Sequence, residues 1–370
     1  MQCLPQSLVT NSIERQPHWR TNFVLALFDV AMVTILLLTF DPISPLLSSN
    51  QFLPPILSVY TMRYCFFLLT VYIGFVTLTA QQSLPAQKPR VCLSFDDGSI
   101  DAMPGYTQVE WNQLLLNNLR LAGKQAIFFV AGKPLDNPAG RQLLRSWDQA
   151  GHLLANHTYS HLYYHGATVT FEQFAQDCLR NDSLLRGYAH FTPLFRFPYL
   201  KEGDTHDKRD RFRKWLANQG YRNGYVTIDA SDWYVNSRLV KRLKQNPRAE
   251  VAPYQAFYLK HILDRATYYN RLSQELTGRP IAHTLLLHHN LTSALFVDDL
   301  IRHFEASGWE VINASEAYRD PIYQHAPQTL PAGESLVWAM ARETGRYDDQ
   351  LRYPAEDSRY EEAEMNRLGL

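Results

Sequence analysis

From residue 90 onward the chain alternates short apolar runs with longer amphipathic stretches, the pattern of βα units built on a parallel sheet. The apolar runs predict seven strands, at residues 90–95, 125–130, 152–156, 194–197, 225–228, 284–288 and 310–312. Helical periodicity predicts helices at 107–121, 138–150, 170–186, 208–219, 252–276 and 293–307. Gly151, Gly220, Gly278 and Gly308 each follow one of these stretches, where C-terminal caps are expected. There is no internal repeat of fixed period. Seven strands fall short of the eight of a full TIM barrel, so the pattern predicts an incomplete (β/α) barrel or an open doubly wound sheet. Past Asp320 the alternation stops. Residues 321–370 predict one helix at 333–342 and a charged, tyrosine-containing extension, packed on the domain or partly disordered.

The chain of 370 residues carries 36 basic and 36 acidic side chains, so it offers no net field for nucleic acid or another polyanion. That balance hides an asymmetry. Residues 1–80 contain six charges in all: Glu14, Arg15, Arg20, Asp29, Asp41 and Arg63. Residues 23–40 form an apolar run broken by Asp29 and two threonines, and 64–80 form a second run with no charge. Met62-Arg63, the following apolar run and the small residues at 79–80 have the grammar of a secretory signal peptide. On that reading 62–80 is the signal peptide, 1–61 an upstream extension translated from a misplaced start, and 81–89 a polar linker. Residues 90–320 are then the main folded domain of a secreted, periplasmic or cell-envelope protein. A two-helix membrane anchor and an uncleaved signal anchor at 64–80 are the competing readings, and they give the only route to a membrane. Cys92 and Cys178 are too far apart to suggest a disulfide framework or a zinc knuckle and read as two buried thiols.

Polar residues break into apolar context at the C-terminal ends of the strands, which is the functional rim of parallel α/β folds. Strand one ends in Ser94-Phe95-Asp96-Asp97-Gly98, two adjacent carboxylates at a glycine turn; alone, this would read as a turn or N-cap pair. After strand three come His157 and His161. Their i,i+4 spacing would place both imidazoles on one face of a helical turn, able to share an ion with Asp97. Such a His-His-Asp set leaves coordination positions open. Strand four ends in Arg196-Phe197-Pro198-Tyr199, strand five in Asp229-Ala230-Ser231-Asp232-Trp233, and strand six in Leu286-Leu287-His288-His289. None of these three is distinctive by itself.

Their joint order is distinctive. The (S/T)FDDG strand end, H(S/T)xxH, RxPY, DxxDW and LxH occur in that sequence at 94–98, 157–161, 196–199, 229–233 and 286–288. In this the chain resembles the polysaccharide deacetylases with a NodB homology domain, carbohydrate esterase family 4, over about residues 90–320. The resemblance implies a distorted (β/α)7 barrel, in agreement with the seven strands. It also implies a hydrolase that removes acetyl groups from a polysaccharide or oligosaccharide, N-acetyl groups of amino sugars first and O-acetyl groups as the alternative. By similarity, Asp97, His157 and His161 bind a divalent metal, zinc first, with cobalt, nickel or manganese as alternatives. Asp96 is the general base and His288 the general acid. Asp232 orients His288, Arg196 holds Asp96, and the backbone of Tyr199, next to Pro198, stabilises the oxyanion. Trp233 and Leu286 wall the acetyl methyl group.

His289 directly follows His288, and strand alternation lets one of the two face inward; the family pattern favours His288. The tyrosine-rich stretch at 251–278 is an insertion that either reshapes the substrate groove or packs on the barrel. His152, His165, His206 and His283 have no partner pattern and read as structural. Two other functions fit the same barrel: hydrolysis of small cyclic amides, against which the intact Asp97-His157-His161 set argues, and a non-catalytic carbohydrate-binding or cell-envelope module.

Overall fold

A strand covered on both faces must be apolar at successive positions rather than at alternate ones, and in β1 (Arg90–Asp97) residues 91–96 are all buried. A computed structural model describes residues 87–370 other than 331 and 353–355. The N-terminal readings at 1–61 and 62–80, and most of the 81–89 linker, lie outside the described residues. Beyond β1 the chain runs through α1 (Gln108–Leu121), β2 (Ile127–Val130), α2 (Pro138–Gln149), β3 (Leu153–Asn156), α3 (Phe171–Leu185), β4 (Phe191–Phe195) and β5 (Lys201–Gly203). It continues with α4 (His206–Asn218), β6 (Arg222–Asn223), α5 (Asp232–Gln245), α6 (Ala252–Thr277), β7 (Ala282–His288), α7 (Leu291–Ala306) and β8 (Glu310–Val311). The last elements are α8 (Ala314–Ala317), β9 (Ala332–Gly333), α9 (Leu336–Thr344) and α10 (Glu362–Arg367). Among the described residues no helix is long and apolar enough to cross a membrane.

The main sheet is parallel, in the order β6-β4-β3-β2-β1-β7, with β8 joined to the start of β1. The expected fifth strand is where the barrel closes and where its regularity is lost. Residues 222–223 pair with β4 at one edge of the sheet, and Ile228 bridges Leu285 of β7 at the other. One short stretch therefore touches both edges and curls the sheet into a distorted (β/α) barrel, which removes the open doubly wound alternative. Gly224 sits inside that stretch, and its N–H donates to the Phe195 carbonyl at 2.6 Å. A Cβ at this position would lie 2.4 Å from the Phe129 ring, so the approach requires glycine.

The predicted helices form within a few residues of their expected ends because their start signals are strong. Thr107 with Glu110 and Thr170 with Gln173 make reciprocal capping boxes at α1 and α3. Helix α5 was not expected. Its buried residues Val235, Leu239 and Leu243 follow helical spacing, but Ser231 before it has φ 29° and supplies no side-chain cap. The Asp232 carboxylate in its first turn bonds to His288 instead. The helix expected at 333–342 begins later, at Leu336, where the Ser335 hydroxyl accepts from the Trp338 N–H; Ala332 and Gly333 pair with β5 instead.

Most buried apolar side chains form one cluster around β1, β2 and β7. A second, aromatic cluster with Tyr164, Phe174, Phe195, Phe197 and Phe212 packs around β4. Burial of each such ring contributes about 1.5–3 kcal/mol. Cys92 and Cys178 are free and buried, as expected, and desolvation pushes the Cys92 thiol up to about 12, so it is inert as a nucleophile.

Candidate metal centre and active site

The strand ends converge because the backbone there departs from ordinary geometry. Of the seven non-glycine residues with positive φ among the described residues, six are Asp97, Thr158, His161, Tyr199, Leu200 and Ser231, all on the rim of the barrel. Left-handed backbone at non-glycine residues costs roughly 1–3 kcal/mol each and persists where surrounding structure enforces it. At Asp97, φ 75° turns the chain so that two successive carboxylates reach one centre.

The expectation that His157 and His161 share a face of a helical turn is corrected. Residues 157–161 form no helix. Side chains take the hydrogen bonds a helix would make: Asn156 Oδ1 accepts from the Thr158 N–H at 2.9 Å, Thr158 Oγ1 from the His161 N–H at 3.1 Å, and Asp177 Oδ2 from the Ser160 N–H at 2.8 Å. The irregular turn still brings the imidazoles together, with ring centroids 4.9 Å apart.

Asp97 Oδ1 lies 3.6 Å from His157 Nε2 and 3.2 Å from His161 Nε2. Two donors bound at about 2.1 Å to one tetrahedral ion lie about 3.4 Å apart, so the spacing fits. Three further features suit a cation. The Asp97 Oδ1 atom is buried with no hydrogen-bond partner. His157 Nδ1 faces the Arg196 carbonyl at 2.8 Å, which places the proton on Nδ1 and leaves the Nε2 lone pair directed inward. Burial, and then the neighbouring His161, push His157 down to about 3, so the ring is neutral. The residues present therefore fit a divalent metal with nitrogen and oxygen ligands, and Asp97, His157 and His161 would hold it.

Asp96 is buried beside this cradle. Arg196 Nη1 donates to its Oδ1, and Oδ2 stands 3.6 Å from His157 Nε2. Burial raises the Asp96 carboxyl, the Arg196 charge opposes it, and the outcome is about 6. Arg196 is fixed on every side: Nη1 also donates to Ser94 Oγ at 3.0 Å, Nε to the Gly224 carbonyl at 2.9 Å and Nη2 to the Tyr318 hydroxyl at 2.9 Å, while its plane lies 3.7 Å from the Phe129 ring centre. Tyr318 donates in turn to the Tyr225 carbonyl at 3.2 Å. No motif marked Tyr318. It touches Arg196 directly and is anchored on the closing stretch 222–228, which no local sequence signal ties to residue 318.

Across the cradle, Asp232 Oδ1 is 2.6 Å from His288 Nδ1, and its Oδ2 accepts from the His288 N–H at 2.8 Å and from Asn290 Nδ2 at 3.2 Å. Burial disfavours the His288 imidazolium, but the Asp232 carboxylate, followed by Asp97 and Asp96, outweighs it and raises the ring to about 10. Asn290 also caps α7 by accepting from the Ser293 N–H at 2.9 Å; its capping position was readable, its hold on Asp232 was not.

His289 points the other way. It is packed among Trp111, Phe128 and Trp147, with Nε2 3.0 Å from Asn112 Oδ1, and burial pushes it down to about 3. His289→Ala is expected to destabilise the fold by about 2–5 kcal/mol, as for other large-to-small core changes. A denaturant midpoint equal to the parent's would place His289 outside the core. His152 and His283 are likewise buried structural histidines, with Nδ1 bonded to the Ala126 N–H and facing Thr227 Oγ1 respectively.

Of the residues expected at the oxyanion turn and the substrate wall, two are open surface. Tyr199 is 56% exposed, its ring 4.6 Å from that of His161, and Trp233 is 42% exposed. Leu286 lies two residues before His288 on the same face of β7 and is buried, as is Pro198 at the start of the turn that carries Tyr199.

Residues 83–224 match the family model for polysaccharide deacetylase. That span holds Asp96, Asp97, His157, His161 and the turn at 196–199, while Asp232 and His288 lie beyond it. No curated protein sequence matches the chain. Solved structures with similarity include a chitin deacetylase from the fungal pathogen Colletotrichum lindemuthianum, with 19% identity over 63% of this chain and 89% of that one at a TM-score of 0.43. The peptidoglycan deacetylase PdaC from Bacillus subtilis matches with 17% identity, 64% and 93% coverage and a TM-score of 0.43. A family 4 carbohydrate esterase from Streptomyces lividans, in complex with acetate, matches with 22% identity, 61% and 91% coverage and a TM-score of 0.40. On this match, residues 83–224 are similar to the polysaccharide deacetylase family.

Proposed function

We propose that this chain is a metal-dependent hydrolase that removes acetyl groups, N-acetyl first, from an amino-sugar polysaccharide or oligosaccharide. The observation that carries the reading is a single cradle with two proton carriers beside it, buried Asp96 held by Arg196 and partly buried His288 held by Asp232. When bound by Asp97, His157 and His161, a divalent cation, zinc first, supplies Lewis acidity to the acetyl carbonyl and to a neighbouring water.

The chain's own groups do the rest. The Asp96 carboxylate takes the proton from the attacking water; it must stay free of the ion while Asp97 is ligated, which is why two adjacent carboxylates are needed. Arg196 keeps it ionised and aimed. His288, charged because Asp232 faces it, gives its proton to the leaving nitrogen, the step that makes amide cleavage productive. The turn at Tyr199 would set a backbone N–H toward the developing oxyanion. Trp233 and Leu286 bound the space for the acetyl methyl. The balanced charge of the chain suits an uncharged sugar substrate, and the signal-like grammar of residues 62–80 supports an exported enzyme.

Acetate release from chitin oligomers, peptidoglycan and acetylated xylan, with and without a chelator, tests the reading. Release from at least one of these, lost on chelation and restored by added divalent metal, is expected. No release from any would refute a deacetylase; release indifferent to chelation would refute the metal's role.

A further inference from the structure

Past Asp320 the chain leaves the pattern of the barrel, yet it returns to the rim beside Tyr199. Helix α4 catches the extension first: Arg213 Nη1 donates to the Pro327 carbonyl at 2.7 Å and Arg209 Nη1 to the Gln328 carbonyl at 2.6 Å. Strand β9 then pairs antiparallel with β5, which leaves the Tyr199 turn. The Glu334 N–H donates to the Leu200 carbonyl at 3.1 Å, and the Leu336 N–H to the Val226 carbonyl, in the closing stretch of the barrel, at 2.7 Å. Between these two backbone bonds the Glu334 carboxylate pairs with the Lys201 ammonium, and both residues are buried. Such a pair adds little net stability beside apolar groups of the same volume, but it permits one register. Slipping β9 along β5 would leave two charges buried and apart, which is costly.

The turn held in this way is strained. Tyr199 and Leu200 are successive non-glycine residues in the left-handed region, with φ 57° and 56°, and backbone of that kind persists where its surroundings enforce it. Inside the turn the Leu200 N–H donates to the Phe197 carbonyl at 3.0 Å and the Lys201 N–H to the Pro198 carbonyl. Those bonds close the turn, whereas its aim relative to the barrel comes from what lies behind Leu200 and Lys201. Glu334 is there, itself at φ 70°, the seventh of the positive-φ residues. In front, the Tyr199 ring lies 4.6 Å from that of His161, so any shift of the turn is felt at the metal cradle. We propose that Glu334 is a positioning residue for the reaction: through Lys201 and the Leu200 carbonyl it aims the Tyr199 backbone N–H at the developing oxyanion. The inference rests on the oxyanion role given to Tyr199 above. Glu334 lies outside residues 83–224, so the extension, and not the matched span, supplies this support.

Glu334→Ala, Glu334→Gln, Lys201→Met and the double variant Lys201→Met with Glu334→Gln test it, each in the full chain loaded with zinc. The readouts are kcat and KM for acetate release from whichever of the three substrates the parent turns over, zinc affinity, and hydrogen exchange of the Leu200 and Lys201 amides. A donor displaced by about 1 Å costs about 10²-fold in rate and little in substrate binding. Glu334→Ala is therefore expected to lower kcat about 10²-fold. Glu334→Gln, which keeps the volume and an acceptor for Lys201, should lower it about tenfold and unfold close to the parent. KM and zinc affinity should stay within about twofold, while the two amides exchange at least about tenfold faster and those of α1 do not change. Because both side chains form one link, the double variant should be no slower than the slower of its two single variants. If Glu334→Ala does not fold, Glu334→Gln and the double variant decide on the same readouts. An unchanged kcat per zinc-loaded chain in Glu334→Gln, or losses that multiply in the double variant, overturns the proposal. The two readings fail separately. Acetate release that none of the variants slows sinks the role of Glu334 alone, whereas faster amide exchange in the variants of a parent that releases no acetate keeps Glu334 as the holder of the turn and sinks the deacetylase reading.

Discussion

Asp96→Asn is expected to lower kcat for acetate release by about 10²–10⁴-fold, the range for loss of a general base, while the protein keeps one equivalent of divalent metal. His157→Ala is expected to lose both. The contrast follows from geometry. Asp97 Oδ1 and the two Nε2 atoms face one another at 3.2–3.6 Å, whereas Asp96 is engaged by Arg196 on one oxygen and has the other free toward the same centre. Asn keeps the shape of Asp96 and its contact with Arg196 but cannot take a proton. It also leaves Arg196 buried without a countercharge; breaking such pairs costs roughly 3–5 kcal/mol. The hydrogen bonds from Arg196 to Ser94, Gly224 and Tyr318 remain and soften that loss. Metal content should therefore be measured well below the unfolding midpoint. A metal-free Asp96→Asn protein, or an Asp97→Asn protein that retains its metal, would show that the two carboxylates have exchanged roles.

The barrel was legible because its central strands β1, β2, β3 and β7 are buried on both faces, so each announces itself as an apolar run, and because α1 and α3 carry capping boxes. What stayed hidden is specific. Helix α5 has no cap signal because Ser231 before it has φ 29° and makes no side-chain cap, while the Asp232 carboxylate in its first turn is committed to His288. The strand expected at 225–228 does not form, and residues 222–223 and Ile228 pair instead, because the stretch 222–228 must reach two sheet edges at once, a closure that depends on Phe195 and Leu285 and not on its own composition. The site was legible as a set of motifs, each in polar contrast to an apolar run. Its conformation was not: the turn at 157–161 is held by Asn156 and Asp177 from neighbouring elements, and the helical geometry suggested by the spacing does not form. Tyr318 shows the same limit. A residue that holds Arg196 from 122 positions away leaves no local trace in the sequence.

Asp232→Asn should produce the second large effect, a loss of activity that depends on pH. His288 is raised to about 10 although burial alone would lower it, and the Asp232 carboxylate at 2.6 Å is the foremost group that raises it. A general acid works in its protonated form, so the alkaline limb of kcat/KM follows its pKa. With Asn at 232 the burial penalty stays and the largest opposing charge is gone; the His288 pKa falls, and the alkaline limb moves to lower pH. The rate should drop about 10²–10⁴-fold at pH 8, where His288 is then largely neutral, and recover part of that loss toward pH 6. If Asp232 served only to hold the loop, the rate would fall by one factor at all pH values and the limb would stay in place. The same measurement on His288→Gln should show a low rate with no alkaline limb from this group. A limb that persists there would assign it to another residue and remove His288 from the role of acid.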